Sequence, residues 1–226
     1  MIISLHIPKT AGKSFKAALI KEFNSQIIFD YIENPQVKNI SKFCKFRKSF
    51  NSFKINFYSK NIKIIHGHFC LDRYKNFLPN SPRICFAREP LKLLISYYDY
   101  IHLKYKNVSK IDPMHRKIVD SKLEDFLLSL HAQTFYSRMF GSFDYRLFSF
   151  IGIVEKYSES IQLFNKLYNT SLSLNHLNQT EIYGIRPSSK VKLSQNFKNK
   201  FKKIHTFNYA FYNYALTCFE KNISEN

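Results

Sequence analysis

The stretch Ile2–Phe15, IISLHIPKTAGKSF, decides how the chain is read. Ile2, Ile3, Leu5 and Ile7 form a short apolar run of the kind that fills a buried strand. Pro8 ends the run. Thr10, Ala11, Gly12, Lys13 and Ser14 are small or polar and suit a tight turn with exposed backbone N–H groups. Phe15, Ala18, Leu19 and Phe23 then recur at helical spacing. The reading is strand, loop, helix N-terminus. Unpaired N–H groups and the positive end of the helix dipole make such a junction an anion site. Lys9 and Lys13 add charge there, and Thr10 and Ser14 add hydroxyls. The plain alternative is an ordinary strand–turn–helix with surface lysines.

Gly12-Lys13-Ser14 are also the last letters of a nucleotide-triphosphate P-loop. The spacing argues against that loop. G-x-x-x-x-G-K-[ST] would require glycine at position 7, which is Ile7. The segment suits one or two phosphates better than a wrapped triphosphate.

Further strands follow. QIIFDY (Gln26–Tyr31), NIKIIH (Asn61–His66), RICFA (Arg83–Ala87) and LFSFIGIV (Leu147–Val154) each read as one. Pro90 opens a helix at its first position, with Leu91, Leu94, Ile95, Tyr98 and Ile101 on one face. Leu123 to Phe140 reads as helix with a break. Ser158 starts a helix with Ile161, Phe164 and Leu167 inward, and Phe207 to Phe219 forms an aromatic-rich closing helix. Residues 36–60 are basic and aromatic, helical in part. Strands alternating with helices predict an α/β fold in three layers, a central parallel sheet with helices on both faces. No repeat or low-complexity linker interrupts the chain, so residues 1–226 read as one domain. Sites in such folds lie at the carboxyl ends of strands.

The composition fits. The 226 residues are 45% hydrophobic and 17% aromatic, which is globular. No apolar stretch is long enough to span a membrane, and a strand beginning at residue 2 leaves no room for a signal peptide. Cys44, Cys70, Cys85 and Cys218 show no paired metal spacing and read as reduced thiols of a cytosolic protein. The formal net charge is +19. From Asn34 to Leu71 there are eight Lys or Arg and no acid, and from Ile182 to Phe219 seven and none. Such segments attract polyanions: nucleic acid, anionic glycans, acidic head groups or phosphorylated cofactors. An AT-rich genome, favouring Lys, Asn, Ile, Phe and Tyr, gives the same bias without function.

Two more strand ends carry chemistry. Arg88 follows RICFA, and Ser96 lies eight residues on, along the helix opened by Pro90. A guanidinium and a hydroxyl clamp a phosphate monoester well. The plain alternative pairs Arg88 with Glu89 or Asp99. His66-Gly67-His68 ends the third strand, where a histidine serves as general base near neutral pH. No third ligand has a spacing that would make this pair a metal site.

Together, HIPKTAGKSF, HGHF and FAREPLKLLISYY resemble the PAPS-dependent carbohydrate sulfotransferases, in particular the group of heparan sulfate 2-O-sulfotransferase and bacterial relatives. FIGIVEKYSESIQLF, IRPSSKVKLS and FYNYALTCFEK extend the likeness over most of the chain. The resemblance implies a doubly wound, P-loop-like fold and sulfuryl transfer from PAPS (3′-phosphoadenosine 5′-phosphosulfate) to a sugar hydroxyl, without a metal. It implies that Lys9, Thr10, Ala11, Gly12, Lys13 and Ser14 hold the 5′-phosphosulfate, with Lys9 also steadying the leaving group. Arg88 and Ser96 would bind the 3′-phosphate. His68 would be the general base, His66 its neighbour. Arg186, Ser188 and Lys190 would close over the nucleotide. Lys13 departs from the family, which usually has a small hydroxyl residue there and whose animal members carry a membrane anchor and lumenal disulfides. QTFYSRMFG (Gln133–Gly141) matches the family only loosely and leaves the register of Arg138 open. The expectation is a cytoplasmic bacterial enzyme acting on a cell-surface glycan or its precursor, an acidic saccharide being one option. Peripheral contact with the inner membrane surface is left open, and no nucleic-acid partner is expected. The alternatives are a P-loop small-molecule kinase and a basic nucleic-acid-binding protein without catalysis.

Overall fold

The computed structural model describes residues 1–31, 61–105, 107–174, 188 and 191–225. The whole basic segment read at 36–60 and the loop residues Arg186 and Lys190 lie outside them.

The strands are β1 (Ile2–Leu5), β2 (Ile27–Phe29), β3 (Ile64–Gly67), β4 (Arg83–Ala87) and β5 (Phe150–Ile153). They form one five-stranded sheet in the order β2-β3-β1-β4-β5, every pairing parallel. RICFA is a strand over the residues expected, and the other strands are shorter than their apolar runs. Ile7 lies beyond the ladder but is fully buried in the core, so the run was hydrophobic for two different reasons.

The helices are α1 (Gly12–Phe23), α2 (Pro90–Tyr105), α3 (Pro113–Val119), α4 (Leu123–Leu128), α5 (Leu130–Gln133), α6 (Phe135–Phe140), α7 (Tyr157–Tyr168), α8 (Gln195–Ile204) and α9 (Thr206–Ser224). From β1 the chain moves through α1 towards the β2 edge; from β4 it moves through α2–α6 to the opposite edge at β5. With right-handed crossovers, opposite directions put the two sets of helices on opposite faces. The three-layer α/β arrangement is therefore present, and the strand order reverses between β1 and β4. Ligands of open α/β sheets bind at such a reversal, outside the carboxyl ends of the strands.

Aromatic packing fills both interfaces. Phe15 of α1 meets Phe86 of β4 at 4.9 Å and Phe164 of α7 at 5.6 Å between ring centroids. Across the sheet, Tyr136 of α6 meets Phe211 of α9 at 4.7 Å. On α7 Ile161 and Phe164 are buried as expected, whereas Leu167 is 42% exposed and Leu163 is buried instead. On α2 the buried stripe includes Leu93 and Tyr97 beside Leu94, Tyr98 and Ile101, while Leu91 and Ile95 are only partly buried. The helix read from Leu123 to Phe140 is three short helices, because Ser129 caps α5 by accepting from the Ala132 N–H and so starts a new helix. Cys85 and Cys218 are free thiols, and the Cys70 thiol lies 3.8 Å from the Asp72 carboxylate. Among the described residues no helix is long and apolar enough to cross a membrane.

At the carboxyl edge the backbones of β2 and β3 touch. Asp30 N–H donates to the His66 carbonyl at 3.0 Å. A Cβ on Gly67 would stand 1.8 Å from the Asp30 carbonyl oxygen. Backbone cannot yield as a flexible side chain does. Gly67→Ala is therefore expected to lose about 1–3 kcal/mol or more of stability by overpacking, read as a lower urea midpoint; an unchanged midpoint would contradict the close approach.

Candidate functional site

The anion loop is built by backbone hand. Beyond β1, His6 N–H still donates to the Gly67 carbonyl at 2.7 Å, so the chain leaves the sheet only after His6. Lys9 and Ala11 both take left-handed backbone, at φ 67° and 60°. Each non-glycine residue in that region costs about 1–2 kcal/mol. Thr10 between them does not share the hand, and alternation of this kind turns successive N–H groups towards one side, forming an anion-binding nest. Phe15 N–H donates to the Ala11 carbonyl at 3.1 Å, which leaves Gly12, Lys13 and Ser14 as the N-terminal turn of α1, at the positive end of its dipole.

The side chains expected there divide. Thr10 is 2% exposed, and its hydroxyl donates inward to the Ile7 carbonyl at 2.8 Å. The Thr10 hydroxyl therefore braces the loop, and an anion would meet the residue through its backbone. Ser14 is half-buried and Lys13 exposed on the first turn of α1. The Lys9 ammonium lies 4.8 Å from the centre of the Tyr100 ring on α2, a cation–π contact.

Arg88 closes the loop from β4. Its Nη1 donates to the Lys9 carbonyl at 3.1 Å. Its own peptide groups are clamped: Arg88 N–H donates to the Tyr136 hydroxyl at 3.0 Å, and that hydroxyl donates to the Arg88 carbonyl at 2.8 Å. Glu89 is turned away from this arginine. Its carboxylate accepts from the Lys92 N–H at 2.7 Å and from the Tyr209 hydroxyl at 2.7 Å. Ser96 lies one helical turn before Tyr100, so it shares the α2 face that meets Lys9. Asp99 does not pair with Arg88 either. It is buried and accepts from Ser188, N–H at 3.0 Å and hydroxyl at 2.7 Å. Ser188 is thus fastened to α2 through both of those groups. Arg186 and Lys190, on either side of it, lie outside the described residues.

The third strand end carries three stacked imidazoles. His6 lies 4.1 Å from His68 and 5.1 Å from His66, centroid to centroid. His68 is half-buried, and its Nδ1–H donates to the His6 carbonyl at 2.5 Å. A carbonyl only accepts, so this bond puts the proton on Nδ1 and leaves Nε2 as the basic nitrogen. Burial, with Lys16 nearby, lowers the His68 pKa although the bond to His6 acts the other way. A neutral imidazole with a fixed basic nitrogen is what a general base needs.

His66 does not share that capacity. It is 1% exposed, its Nδ1 is 2.9 Å from the Ser4 hydroxyl, and its Nε2 is buried without a partner. Burial, then His68 and Lys16, pushes its pKa down to about 3. The expected catalytic neighbour is a core residue that supports the stack. His6, Tyr31, Tyr100, Tyr136 and Lys16 were not singled out from the sequence. The signal for His6 was available: Ser4 and His6 are polar at alternate positions of an apolar run and so share one strand face. Arg138, the residue whose register was open, is half-buried against His131, its Nη1 lying 2.8 Å from the imidazole Nδ1.

No family model matches the sequence, and no curated protein sequence does. Among solved structures, the chain is similar to a sulfotransferase from Alicyclobacillus acidocaldarius, at 10% identity and a TM-score of 0.46, over 93% of this chain and 92% of that one. It is also similar to mouse sulfotransferase SULT7A1 complexed with PAP, at 10% identity and a TM-score of 0.36, over 90% of this chain and 64% of that one.

The buried imidazole has a consequence for stability. An unfolded chain protonates histidine near 6.5, while His66 in the fold resists protonation down to about 3. Through that window the unfolded state binds the extra proton, so stability is full above 6.5 and falls as pH is lowered, by up to about 1.4 kcal/mol per pH unit for one such histidine. The urea midpoint is expected to drop between pH 7 and pH 5, and to drop less steeply in His66→Gln. Equal slopes in the two proteins would contradict a buried neutral His66.

Proposed function

We propose that the protein is a PAPS-dependent sulfotransferase that moves a sulfuryl group to a hydroxyl of a glycan, a bacterial cell-surface saccharide or its precursor. One observation carries the reading: the anion loop after β1, the oriented base after β3 and Arg88 after β4 meet at adjacent strand ends, with Arg88 hydrogen-bonded to the loop itself.

The donor set fits a bisphosphorylated nucleotide. The nest, the α1 N-terminus, Lys9, Lys13 and Arg88 are all hydrogen-bond donors or cations, while Glu89 and Asp99 are held away by other partners. When bound, PAPS supplies an activated sulfuryl group with a phosphate as its leaving group. Lys9 and the loop N–H groups stabilise the charge that develops on that phosphate. Arg88 and Ser96 take the 3′-phosphate, Arg88 spanning to the Lys9 carbonyl so that the two anion-binding regions keep a fixed separation. His68 Nε2 accepts the proton of the acceptor hydroxyl as the oxygen attacks. Proton transfer of this kind is typically worth about 10²–10⁴-fold. The chemistry otherwise depends on alignment of the attacking oxygen with the leaving oxygen. The basic segments of the sequence favour an acidic saccharide as acceptor.

The direct test is calorimetric titration with 3′-phosphoadenosine 5′-phosphate (PAP) in the absence of metal, beside ATP with magnesium. Metal-independent binding of the bisphosphate is expected. Binding of magnesium ATP alone would replace this reading with a kinase.

His68→Ala is expected to lose at least about 10²-fold in turnover while keeping PAP affinity; normal turnover would remove His68 from the chemistry. Because the folded His68 has a lowered pKa, its basic form persists below 6.5. The acid limb of kcat/KM for PAPS is therefore expected to have its midpoint below pH 6.5, and a midpoint well above it would contradict His68 as the base.

A further inference from the structure

His6 has no part in the reading above, yet it touches both halves of the site. Its carbonyl orients His68, and its ring stacks on the His68 ring at 4.1 Å. The opposite edge of the ring lies against α1. A Cβ added to Gly12 would stand 1.5 Å from His6 Nε2 and 2.0 Å from Cδ2. Nε2 is therefore at the first residue of the helix, where the loop N–H groups collect.

The other ring nitrogen fixes the proton. His6 Nδ1 is 3.1 Å from the Tyr31 hydroxyl. Between a phenol and a neutral imidazole, the phenol is the better donor and the imidazole nitrogen the better acceptor. Burial pushes Tyr31 up to about 12, so the phenol keeps its proton. Burial, followed by His68, His66 and Lys16, holds the His6 pKa well down, so the ring is neutral. A neutral imidazole that accepts at Nδ1 carries its hydrogen on Nε2.

We propose that His6 is a further binding residue of the anion loop, donating from Nε2 to the oxyanion held at the N-terminus of α1, directly beside the base His68. This rests on the sulfotransferase reading, and the oxyanion is the 5′-phosphosulfate of PAPS or the 5′-phosphate of PAP. Neutrality is the useful property. A cation at position 6 would bind the anion but would lower the basicity of an imidazole stacked on it. Gly12 belongs to the same device, since any side chain there would displace the donor.

The test compares wild type, His6→Phe and His6→Gln by calorimetry with two probes, PAP and adenosine 3′-phosphate, which lacks the 5′ group. Phenylalanine keeps the stacked ring and removes the donor; glutamine restores a donor near Nε2. His6→Phe is expected to weaken PAP by about 10- to 100-fold, the size of one hydrogen bond to a charged group. Adenosine 3′-phosphate should bind all three proteins alike, and His6→Gln should recover most of the PAP affinity. A purely structural role would weaken both probes together, and that result overturns the inference. So do equal PAP affinities in wild type and His6→Phe, or a glutamine variant as weak as the phenylalanine one. A wild type that binds no PAP overturns the sulfotransferase reading and this inference with it, so the two failures are distinct. Should the variants not fold, the ¹⁵N chemical shifts of the histidines in wild type decide: a protonated Nε2 on His6 is expected, and a protonated Nδ1 overturns the assignment.

Discussion

The ring of His6 occupies the space that a side chain at position 12 would need, and the rest of the carboxyl edge follows from that contact. The chain leaves β1 at His6 and must enter α1 only six residues later. To do so it takes two left-handed turns at residues that carry a Cβ, Lys9 and Ala11. Such strain persists where the surroundings over-determine it. Here they do: the Thr10 hydroxyl is fastened to the Ile7 carbonyl, Arg88 to the Lys9 carbonyl, and the histidine to the helix start. The shape of the loop is thus maintained by contacts on its buried side.

Charge is distributed with the same logic. A chain of formal charge +19 would be expected to repel itself wherever basic groups gather. At β1 and β3 it gathers imidazoles, and burial keeps His6 and His66 uncharged, with His68 lowered in the same sense. Lys16, whose ammonium lies 4.6 Å from the Phe29 ring and 4.7 Å from the Tyr31 ring, adds to that effect while its own charge is accommodated by aromatic faces. The fixed positive charge is left to Lys9, Lys13 and Arg88, on the β1 and β4 side. Fixed cations and neutral imidazoles therefore stand at neighbouring strand ends with different electrostatics.

The sheet was legible because its strands are apolar runs bounded by polar or turn residues, and the parallel order because helices alternate with them. The loop, His68, Arg88 and Ser96 could be singled out because each follows a strand end or sits two turns into the next helix. What could not be read was long-range. Asp99 looked like a partner for Arg88 eleven positions before it, but it holds Ser188, 89 residues later. His66 and His68 looked equivalent in HGH and share one strand face; His66 lies within β3, buried against Ser4, whereas His68 lies just past the end of the strand. The break at Ser129 was visible in principle, since serine followed by a short apolar turn is an N-cap signal.

The peptide of Arg88 is held by Tyr136, and the neighbouring Glu89 by Tyr209, a residue 120 positions downstream. Tyr212, on the same closing helix, donates to Glu155 at 3.3 Å, which in turn accepts from the Glu89 N–H. During synthesis, β1, its loop and β4 emerge long before α9 exists. The Tyr136 clamp on Arg88 precedes α9 in the chain, but the Tyr209 and Tyr212 contacts that fasten Glu89 and Glu155 beside it form only when α9 has left the ribosome and docked. The last support of the β4 turn then arrives as a late event in translation, and a chain that stops short of α9 would carry Arg88 and its Tyr136 clamp without the tyrosines that hold Glu89 and Glu155 beside it.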